Sequence, residues 1–402
     1  MTFDVAAFRS LFPSLVSGIA HFDGPGGTQT PQPVADAVAA TLAGPLSNRG
    51  TGILSESNAD AAVHAFRAAA ADLIGAPAEG IVYGRSATQI GYDISRAIAK
   101  RWGPGDEVVV SRLDHDANVR PWIQAAEARG ATVRWIDIDP ATAELDLASA
   151  DAAIGPRTRL VALTAASNLL GTIPPVRTIA DRAHAVGALM YVDGVHFTAH
   201  GFVEMAALGA DLYVCSAYKF LGPHCALLGA APELLETLHP DKLLPSTNVV
   251  PERFELGTLP YELLAGVTAA IDVLAAIAPG DATRRRDRLR ASFHALDAHE
   301  LALRARLEAG LAALGPDVVV HSRAAVRTPT LLLTLPGRRT ADAYAFLAAR
   351  DILAPAGSFY AIEPFRRLAL ADTDGLRLGL APYTTAEEID RVVAGLADFI
   401  AR

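Results

Sequence analysis

The middle of the chain alternates between two kinds of pattern, and this alternation restricts the fold more than any other feature of the sequence. Between about residue 60 and residue 230, amphipathic helical stretches alternate with short apolar runs, most of them rich in β-branched or aromatic residues. Seven of these runs are predicted strands: Gly80–Tyr83, Glu107–Val110, Val133–Asp137, Leu160–Leu163, Leu189–Val192, Leu212–Cys215 and Ala226–Gly229. The alternation predicts an α/β fold in which a mostly parallel seven-stranded sheet lies between helices.

The pattern changes after about residue 280. It predicts a long amphipathic helix over 289–314, strands at 318–320 and 331–334, a helix over 341–349, a strand at 376–380 and a final helix that begins with the capping-box-like Thr385-Ala-Glu-Glu388. These elements indicate a smaller α+β domain. A chain of 402 residues is long enough for two domains. We therefore expect a large domain over 21–280, a small domain over 281–402, and an N-terminal segment, 1–20, that packs on the small domain.

Composition argues against several functions. The formal net charge of −9 gives no reason to expect a nucleic-acid partner. The sequence contains no run of 18 uncharged apolar residues and no long apolar stretch near residue 1, so we expect neither a membrane span nor a signal peptide. Cys215 and Cys225 are the only cysteines, too few for a disulfide framework and spaced unlike a zinc module. These features favour a cytoplasmic protein without a bound metal.

Chemically useful side chains follow four of the predicted strands, and ligands of open α/β sheets collect at such carboxyl ends. Asp193, Lys219 and Asn168 each follow a strand, and Ser86-Ala-Thr88 follows another where a helix begins and backbone amides can hold an anion. A lysine and a buried acid suit pyridoxal 5′-phosphate (PLP), because the amine forms an imine and the acid keeps the pyridine nitrogen protonated. Alone, Asp193 could equally cap a helix and Lys219 could lie on the surface. Their conjunction in this order and spacing favours a PLP site.

Longer motifs surround these residues. They are Ser216-Ala-Tyr-Lys219, Asp193-Gly-Val-His196, Asp114-His-Asp-Ala-Asn118 followed by Pro121-Trp122, and Ser167-Asn-Leu-Leu-Gly171. In the same order, they are similar to the Ser-Gly-His-Lys, Asp-Gly-Ala-Gln, Glu-His-His-Ala-Asn…Pro-Trp and Ser-Asn-Val-Leu-Gly motifs of one family. The chain, from about His21 onward, resembles the class V aminotransferase family of fold-type I PLP enzymes, and within it the group II cysteine desulfurase and selenocysteine lyase branch.

The resemblance implies a role for each matching residue at the cofactor ring. Lys219 would hold PLP as a Schiff base and later act as general base. Asp193 would pair with the pyridine nitrogen, and His115 would stack on the ring. His196 and Asn168 would approach the ring hydroxyl.

It also implies how the phosphate and the substrate are held. The phosphate would be bound by Ser86, Ala87, Thr88, Ser216 and Tyr218, together with Thr258 from a second subunit. Because Thr258 ends the segment Glu255-Leu-Gly-Thr258 that reaches across in relatives, the resemblance implies a homodimer with shared active sites. Arg377 would bind the α-carboxylate of an amino-acid substrate through its planar fork. Arg49, in Asn48-Arg-Gly50, is a second candidate for substrate binding.

The sequence departs from this branch where the branch carries its sulfur-accepting cysteine. The matching stretch is Pro355-Ala-Gly-Ser-Phe-Tyr360-Ala361, with Tyr360 at the place of the cysteine. A desulfurase needs a mobile thiolate there to accept sulfur as a persulfide. The paired phosphate threonines are also replaced, by Ala87 and Thr88, and the histidine before the lysine is replaced by Tyr218. We therefore expect a PLP-dependent lyase that catalyses β-elimination, for example at a C–S bond, without persulfide chemistry, and in which Tyr360 lines the substrate pocket.

Two alternatives follow from the same residues. An aminotransferase or an epimerase of this family would share the removal of the α-proton by Lys219 and differ in where the proton returns. A PLP-binding protein without turnover is the alternative outside the enzymes. A nucleotide-binding protein is disfavoured, because the sequence lacks a Gly-x-Gly-x-x-Gly segment after an early strand and a Walker lysine loop.

Overall fold

The computed structural model describes residues 3–370 and 375–402. Within them the chain forms twelve strands: β1 (Ala20–His21), β2 (Ile81–Gly84), β3 (Glu107–Ser111), β4 (Thr132–Ile136), β5 (Thr158–Thr164), β6 (Leu189–Asp193), β7 (Leu212–Ser216), β8 (Ala226–Ala230), β9 (Val319–Val320), β10 (Thr330–Thr334), β11 (Ile352–Leu353) and β12 (Leu376–Gly379). The α-helices of the same ranges are α1 (Val5–Arg9), α2 (Gln32–Ala43), α3 (Leu54–Ile74), α4 (Ala87–Ala99), α5 (Arg120–Glu127), α6 (Leu147–Ala153), α7 (Val176–Ala185), α8 (Met205–Leu208), α9 (Pro232–Glu236), α10 (Tyr261–Ala275), α11 (Arg285–Ala313), α12 (Thr340–Ala348), α13 (Ile362–Arg367) and α14 (Ala386–Ile400).

The large sheet has seven strands in the order β2-β8-β7-β6-β5-β3-β4. Strands β7, β6, β5, β3 and β4 are parallel neighbours, whereas β8 runs antiparallel to both β2 and β7. All seven predicted strands are therefore present, and the predicted mostly parallel sheet is confirmed. Because the parallel strands point the same way, their carboxyl ends meet at one edge of the sheet.

Helices cover both faces of this sheet, and the strands bury side chains on each face. On β3, Val108 and Val110 belong to the apolar cluster beside α4 and α5, whereas Val109 belongs to the cluster on the opposite face, beside α3 and α10. Successive side chains of a strand point to opposite faces, so a strand buried on both faces is a continuous apolar run. Because each strand is such a continuous apolar run, these strands could be predicted from the sequence.

The C-terminal part has its own antiparallel sheet, β12-β10-β9, and its own apolar cluster. Helix α11 contributes to two clusters, since Leu289 and Phe293 pack with the large sheet while Leu303 and Leu307 pack with the small one. Helix α14 begins with a complete capping box between Thr385 and Glu388, as its sequence predicts.

The N-terminal segment contacts both parts of the molecule. Strand β1 pairs in parallel with β11, and Arg9 forms an ion pair with Glu388 at 3.1 Å, whereas Phe8 and Phe12 belong to the cluster of the large sheet. The predicted domain limits at 20 and 280 stay a prediction. In the described part of the chain no helix is both long and apolar enough to cross a membrane, and no group of three or more His, Cys, Asp or Glu side chains could hold a metal ion.

Candidate active site

Side chains from the carboxyl ends of the strands line two adjoining cavities. The inner one, of about 70 Å³, is bordered by Ser86, Ala87, Thr88, His115, Ala117, Thr164, Ala166, Asn168, Asp193, Val195, His196, Ser216, Tyr218 and Lys219. The outer one, of about 620 Å³, shares Thr88, His115, Ala117, Asn168, Tyr218 and Lys219 with it and adds residues such as Asp23, Phe359, Tyr360 and Arg377. Residues predicted from four strand ends, and His115, which the resemblance predicts, are thus brought together around one lysine.

Lys219 ends the short 3-10 turn Ala217–Lys219 that follows β7, and only 8% of it is exposed. Its ammonium donates to the carbonyl oxygen of Pro25. The pKa of Lys219 is lowered to about 7, mainly by burial and also by the charge of Arg377, whereas the charges of Asp23 and Asp193 oppose the shift. A large fraction of this amine is therefore neutral near pH 7, as a nucleophile or a general base requires.

Asp193 is the last residue of β6 and is 6% exposed. One carboxylate oxygen accepts a hydrogen bond from the backbone N–H of Val195 at 2.8 Å. Burial raises the pKa of Asp193 to about 6, although this bond and the charge of Lys219 pull it down. A cation placed beside Asp193 would therefore stabilise its ionised form.

His115 follows β3 and accepts a hydrogen bond on Nδ1 from the N–H of Ala117 at 3.0 Å. Burial lowers the pKa of His115 to about 4, and the charges of Lys219 and Arg377 add to the effect. Its ring is therefore neutral at pH 7. The ring of Tyr360 lies 5.5 Å from it, tilted by 31°.

The loop before α13 forms part of the outer cavity in an unusual backbone conformation. Phe359 and Tyr360 have φ values of 54° and 57°, in the left-handed region that non-glycine residues seldom adopt. Two hydrogen bonds hold the loop in place: Asn168 Nδ2 donates to the carbonyl of Phe359 at 3.0 Å, and the N–H of Asp116 donates to that of Tyr360 at 2.8 Å. Strained backbone held by such contacts is common where a loop positions a ligand.

Arg377 reaches the outer cavity from β12 and is 2% exposed. Its guanidinium forms an ion pair with Asp23 at 2.5 Å, donates to the carbonyl of Asn168 at 3.1 Å, and lies 3.9 Å from the centre of the Phe359 ring. Its Nε is buried and has no hydrogen-bond partner among the described residues. One directed donor is therefore left for an anionic group in the cavity.

The inner cavity borders the beginning of α4, where Ser86 caps the helix by accepting a hydrogen bond from the N–H of Gln89 at 3.1 Å. Ser216 Oγ and Asn168 Oδ1 are buried without a hydrogen-bond partner in the described part of the protein. Buried polar atoms ordinarily have partners. These features suit PLP. The helix N-terminus suits its phosphate, the unpaired polar atoms suit its phosphate and ring hydroxyl, and the buried acid suits its ring nitrogen. The lysine of lowered pKa suits the bond to its aldehyde.

Two predicted site residues lie elsewhere. Arg49 forms ion pairs with Asp60 and Glu252, at 2.8 and 3.2 Å, and is not among the residues that line these cavities. Thr258 is exposed and does not line them either. A role for Thr258 therefore requires a second subunit, and both assignments stay predictions.

Asp23 and Phe359 line the outer cavity although no sequence motif predicts them there. Asp23 follows β1, which has only two residues and no readable periodicity, although an acid before Gly24-Pro-Gly-Gly27 marks a turn after a strand. Phe359 reaches the site only through the left-handed backbone of its loop, for which the sequence carries no signal.

Known proteins match this chain over most of its length. The profile of the aminotransferase class-V family matches residues 20–392. The chain belongs to this family. Its fold is that of PLP fold-type I, and it is a PLP-dependent enzyme, as members of this family are.

Among its relatives, a cysteine desulfurase of Dickeya dadantii is 33% identical over 87% of this chain and 84% of that protein. An uncharacterized protein of Mycobacterium tuberculosis is 33% identical over 99% of both chains. Among solved structures, the cysteine desulfurase CsdA of Escherichia coli superposes with a TM-score of 0.87 at 26% identity, over 100% of this chain and 99% of that one.

Proposed function

We propose that this enzyme is a lyase that eliminates a leaving group from the β-carbon of an amino acid without forming a persulfide on the protein. The observation that carries the proposal is the position of the cysteines. The sequence has two, Cys215 on β7 and Cys225 just before β8, which are 0% and 1% exposed. Burial raises the pKa of Cys225 to about 12 and that of Cys215 further, so neither thiol forms a thiolate readily.

The loop at the mouth of the outer cavity supports the same proposal. In the desulfurase branch, this loop would carry the sulfur-accepting thiol. Here Tyr360 stands at that place, is 73% exposed, and lies beside His115. A phenol cannot form a persulfide, so sulfur or another leaving group would depart free.

The protein residues would act as follows, while bound PLP supplies an electron sink next to the α-carbon of the substrate. Asp193 would pair with the cofactor's ring nitrogen, His115 would cover one face of its ring, and Ser86 to Thr88, Ser216 and Tyr218 would hold its phosphate. Arg377 would direct Nε and its remaining donors at the substrate carboxylate, with Asp23 fixing the orientation of the guanidinium.

Lys219 would take the α-proton of the substrate on Nζ, because its lowered pKa leaves the amine neutral. The bond between the β-carbon and the leaving group breaks, and its electron pair goes to the leaving group, which takes up the proton held on Lys219 and departs as HX. Addition of water releases the remaining carbon skeleton as a keto acid and ammonium. This elimination requires no oxidant and no amino acceptor.

We also propose a homodimer in which Thr258 reaches the phosphate of the partner's cofactor. Leu256, within that segment, is 51% exposed, and Leu243 and Leu244, which precede it in the sequence, are 73% and 98% exposed. A homodimer that covers these side chains would remove their apolar surface from water. Sedimentation of the purified protein tests this directly, and a monomer at micromolar concentration would contradict it.

The reaction is tested by incubating the holoenzyme with a panel of β-substituted amino acids, including L-cysteine and S-substituted cysteines, without an amino acceptor. We expect stoichiometric keto acid and ammonium. The variant C215A/C225A should keep this activity, and K219A should lose it. A cysteine-free variant that loses turnover while retaining its fold would contradict the proposal.

The same assay separates the alternatives. Product formation only when a keto acid is added would indicate an aminotransferase, and loss of optical activity without keto acid would indicate an epimerase. A cofactor spectrum that no amino acid changes would indicate a PLP-binding protein without turnover.

A further inference from the structure

His200 and Glu300 form a buried histidine–carboxylate pair next to His196. The ring of His200 packs edge-on against that of His196, with 4.8 Å between the ring centres and 66° between their planes. On its other side, Nδ1 of His200 lies 2.9 and 3.1 Å from the two carboxylate oxygens of Glu300, on α11. His200 and Glu300 are 7% and 3% exposed. His196, His200 and Glu300 therefore form a continuous series of contacts from the inner cavity to α11, the helix that packs against both the large and the small sheet.

The pair faces a separate cavity of about 370 Å³, away from Lys219. The charged and titratable side chains that line it beside the pair are Arg290, His294, Asp297, Arg304 and Arg327. Glu300 has no hydrogen-bond partner other than His200 within the described residues. Burial raises the pKa of Glu300, whereas its hydrogen bond and electrostatic contact with His200 lower it, so the contact between Nδ1 and the carboxylate is expected to hold a shared proton.

The ring of His196 is fixed at one nitrogen. Its Nε2 lies 2.9 Å from Thr328 Oγ1 and 3.2 Å from Thr330 Oγ1, both from the segment that enters β10. Nδ1 has no hydrogen-bond partner in the part of the chain that the structure describes, and the ring borders the inner cavity. Burial lowers the pKa of His196 well below its ordinary value, and the charges of His200, Lys219 and Arg377 act in the same direction.

We propose that Glu300 and His200 are positioning residues that keep His196 neutral and in a single tautomer, with its free nitrogen facing the hydroxyl of the cofactor ring. The contact with Glu300 fixes the orientation of the His200 ring, and the edge contact of that ring with His196 makes a positive charge on His196 unfavourable. This inference rests on the proposed function in one respect, the placement of the ring hydroxyl beside His196.

A double-mutant cycle on PLP binding to the apo-protein tests the proposal without using activity. The variants are Glu300→Gln, which keeps the shape of the side chain and removes its charge, His196→Gln, and the two combined. We expect E300Q to weaken PLP binding about tenfold when His196 is present, a factor typical of coupled neighbours. In the H196Q background the same change should cost less than about twofold. D297N, one turn earlier on α11 and exposed, is the matched control and should bind PLP like the wild type.

Equal loss of PLP affinity from E300Q in both backgrounds would overturn the proposal, because a purely structural role does not depend on His196. Nitrogen NMR of the histidines in the wild-type apo-protein gives a second test that requires no variant. Between pH 6 and pH 8 we expect one neutral tautomer for His196 and a proton on Nδ1 of His200, the nitrogen that faces Glu300. A His200 ring without a proton on Nδ1, or a His196 ring protonated on both nitrogens, would contradict the inference even if E300Q fails to fold. Absence of PLP binding by the wild type would instead count against the proposed function, and the NMR test would still stand.

Discussion

Replacing Asp193 by Asn should stabilise the apo-protein and weaken its binding of PLP. The pKa of Asp193 is about 6 instead of the ordinary 3.8. One pH unit corresponds to about 1.4 kcal/mol, so keeping this carboxylate ionised inside the apo-protein costs about 3 kcal/mol above pH 6. Asn keeps an oxygen that can accept the hydrogen bond from Val195 and carries no charge. Allowing for the lost attraction to Lys219, we expect a gain of about 1–3 kcal/mol in the free energy of unfolding at pH 8.

The sign of the pH dependence follows from the raised pKa. The folded state holds the proton of Asp193 more tightly than the unfolded state, so this group reduces stability as the pH rises from about 4 to about 6. The gain from D193N should therefore be small at pH 4, nearly complete by pH 7, and readable as the urea midpoint of the apo-protein at each pH. Loss of the charged partner of the ring nitrogen removes about 1.5–3 kcal/mol, so PLP should bind about 10- to 150-fold more weakly.

Asp114 provides the matched control, since it is also buried, lines neither cavity, and accepts hydrogen bonds from Ser111 Oγ and Asn118 Nδ2. D114N should leave PLP affinity close to that of the wild type. A D193N protein that is less stable than the wild type at pH 8 and binds PLP equally well would refute the reasoning.

Three further predictions concern the substrate and the lysine. R377Q should raise KM by about 10- to 150-fold with a smaller change in kcat, since it removes a charge-assisted contact to the substrate carboxylate; a loss confined to kcat in steady-state kinetics would contradict that role. Covalent capture of PLP by the apo-protein should increase with pH and level off just above pH 7, because the pKa of Lys219 is lowered to about 7; a rate still climbing towards pH 10 would show an ordinary lysine. Y360F should keep the wild-type kinetics whereas Y360A should raise KM, if Tyr360 lines the pocket through its ring; a large fall in kcat for Y360F would assign a catalytic role to the hydroxyl.

The strands of the large sheet were predictable because they are buried on both faces. Such strands are continuous apolar runs, and the chemistry-bearing residues follow them directly, as Lys219 follows β7 and Asp193 ends β6. The order of the strands and the reversal of β8 depend on contacts distant in sequence, which a local pattern does not contain.

The parts of the site outside the sheet were harder to predict. Asp23 is placed against Arg377 by an isolated bridge to Gly379 of β12, directly after the two-residue strand β1, and such short pairings show no alternation in the sequence. The position of Tyr360 follows from a resemblance between loops, but its left-handed backbone is set by hydrogen bonds from Asn168 and Asp116 to the loop. Thr258 depends on a second copy of the chain, so a single chain cannot bring it to Lys219.

The visible spectrum of the purified protein, loaded with PLP and dialysed, tests the central claim most directly. We predict a yellow cofactor band that is absent from K219A and that shifts on addition of one class of β-substituted amino acid. A protein that remains colourless after incubation with PLP, or a K219A variant with the same band as the wild type, would contradict the assignment of Lys219 and of the site around it.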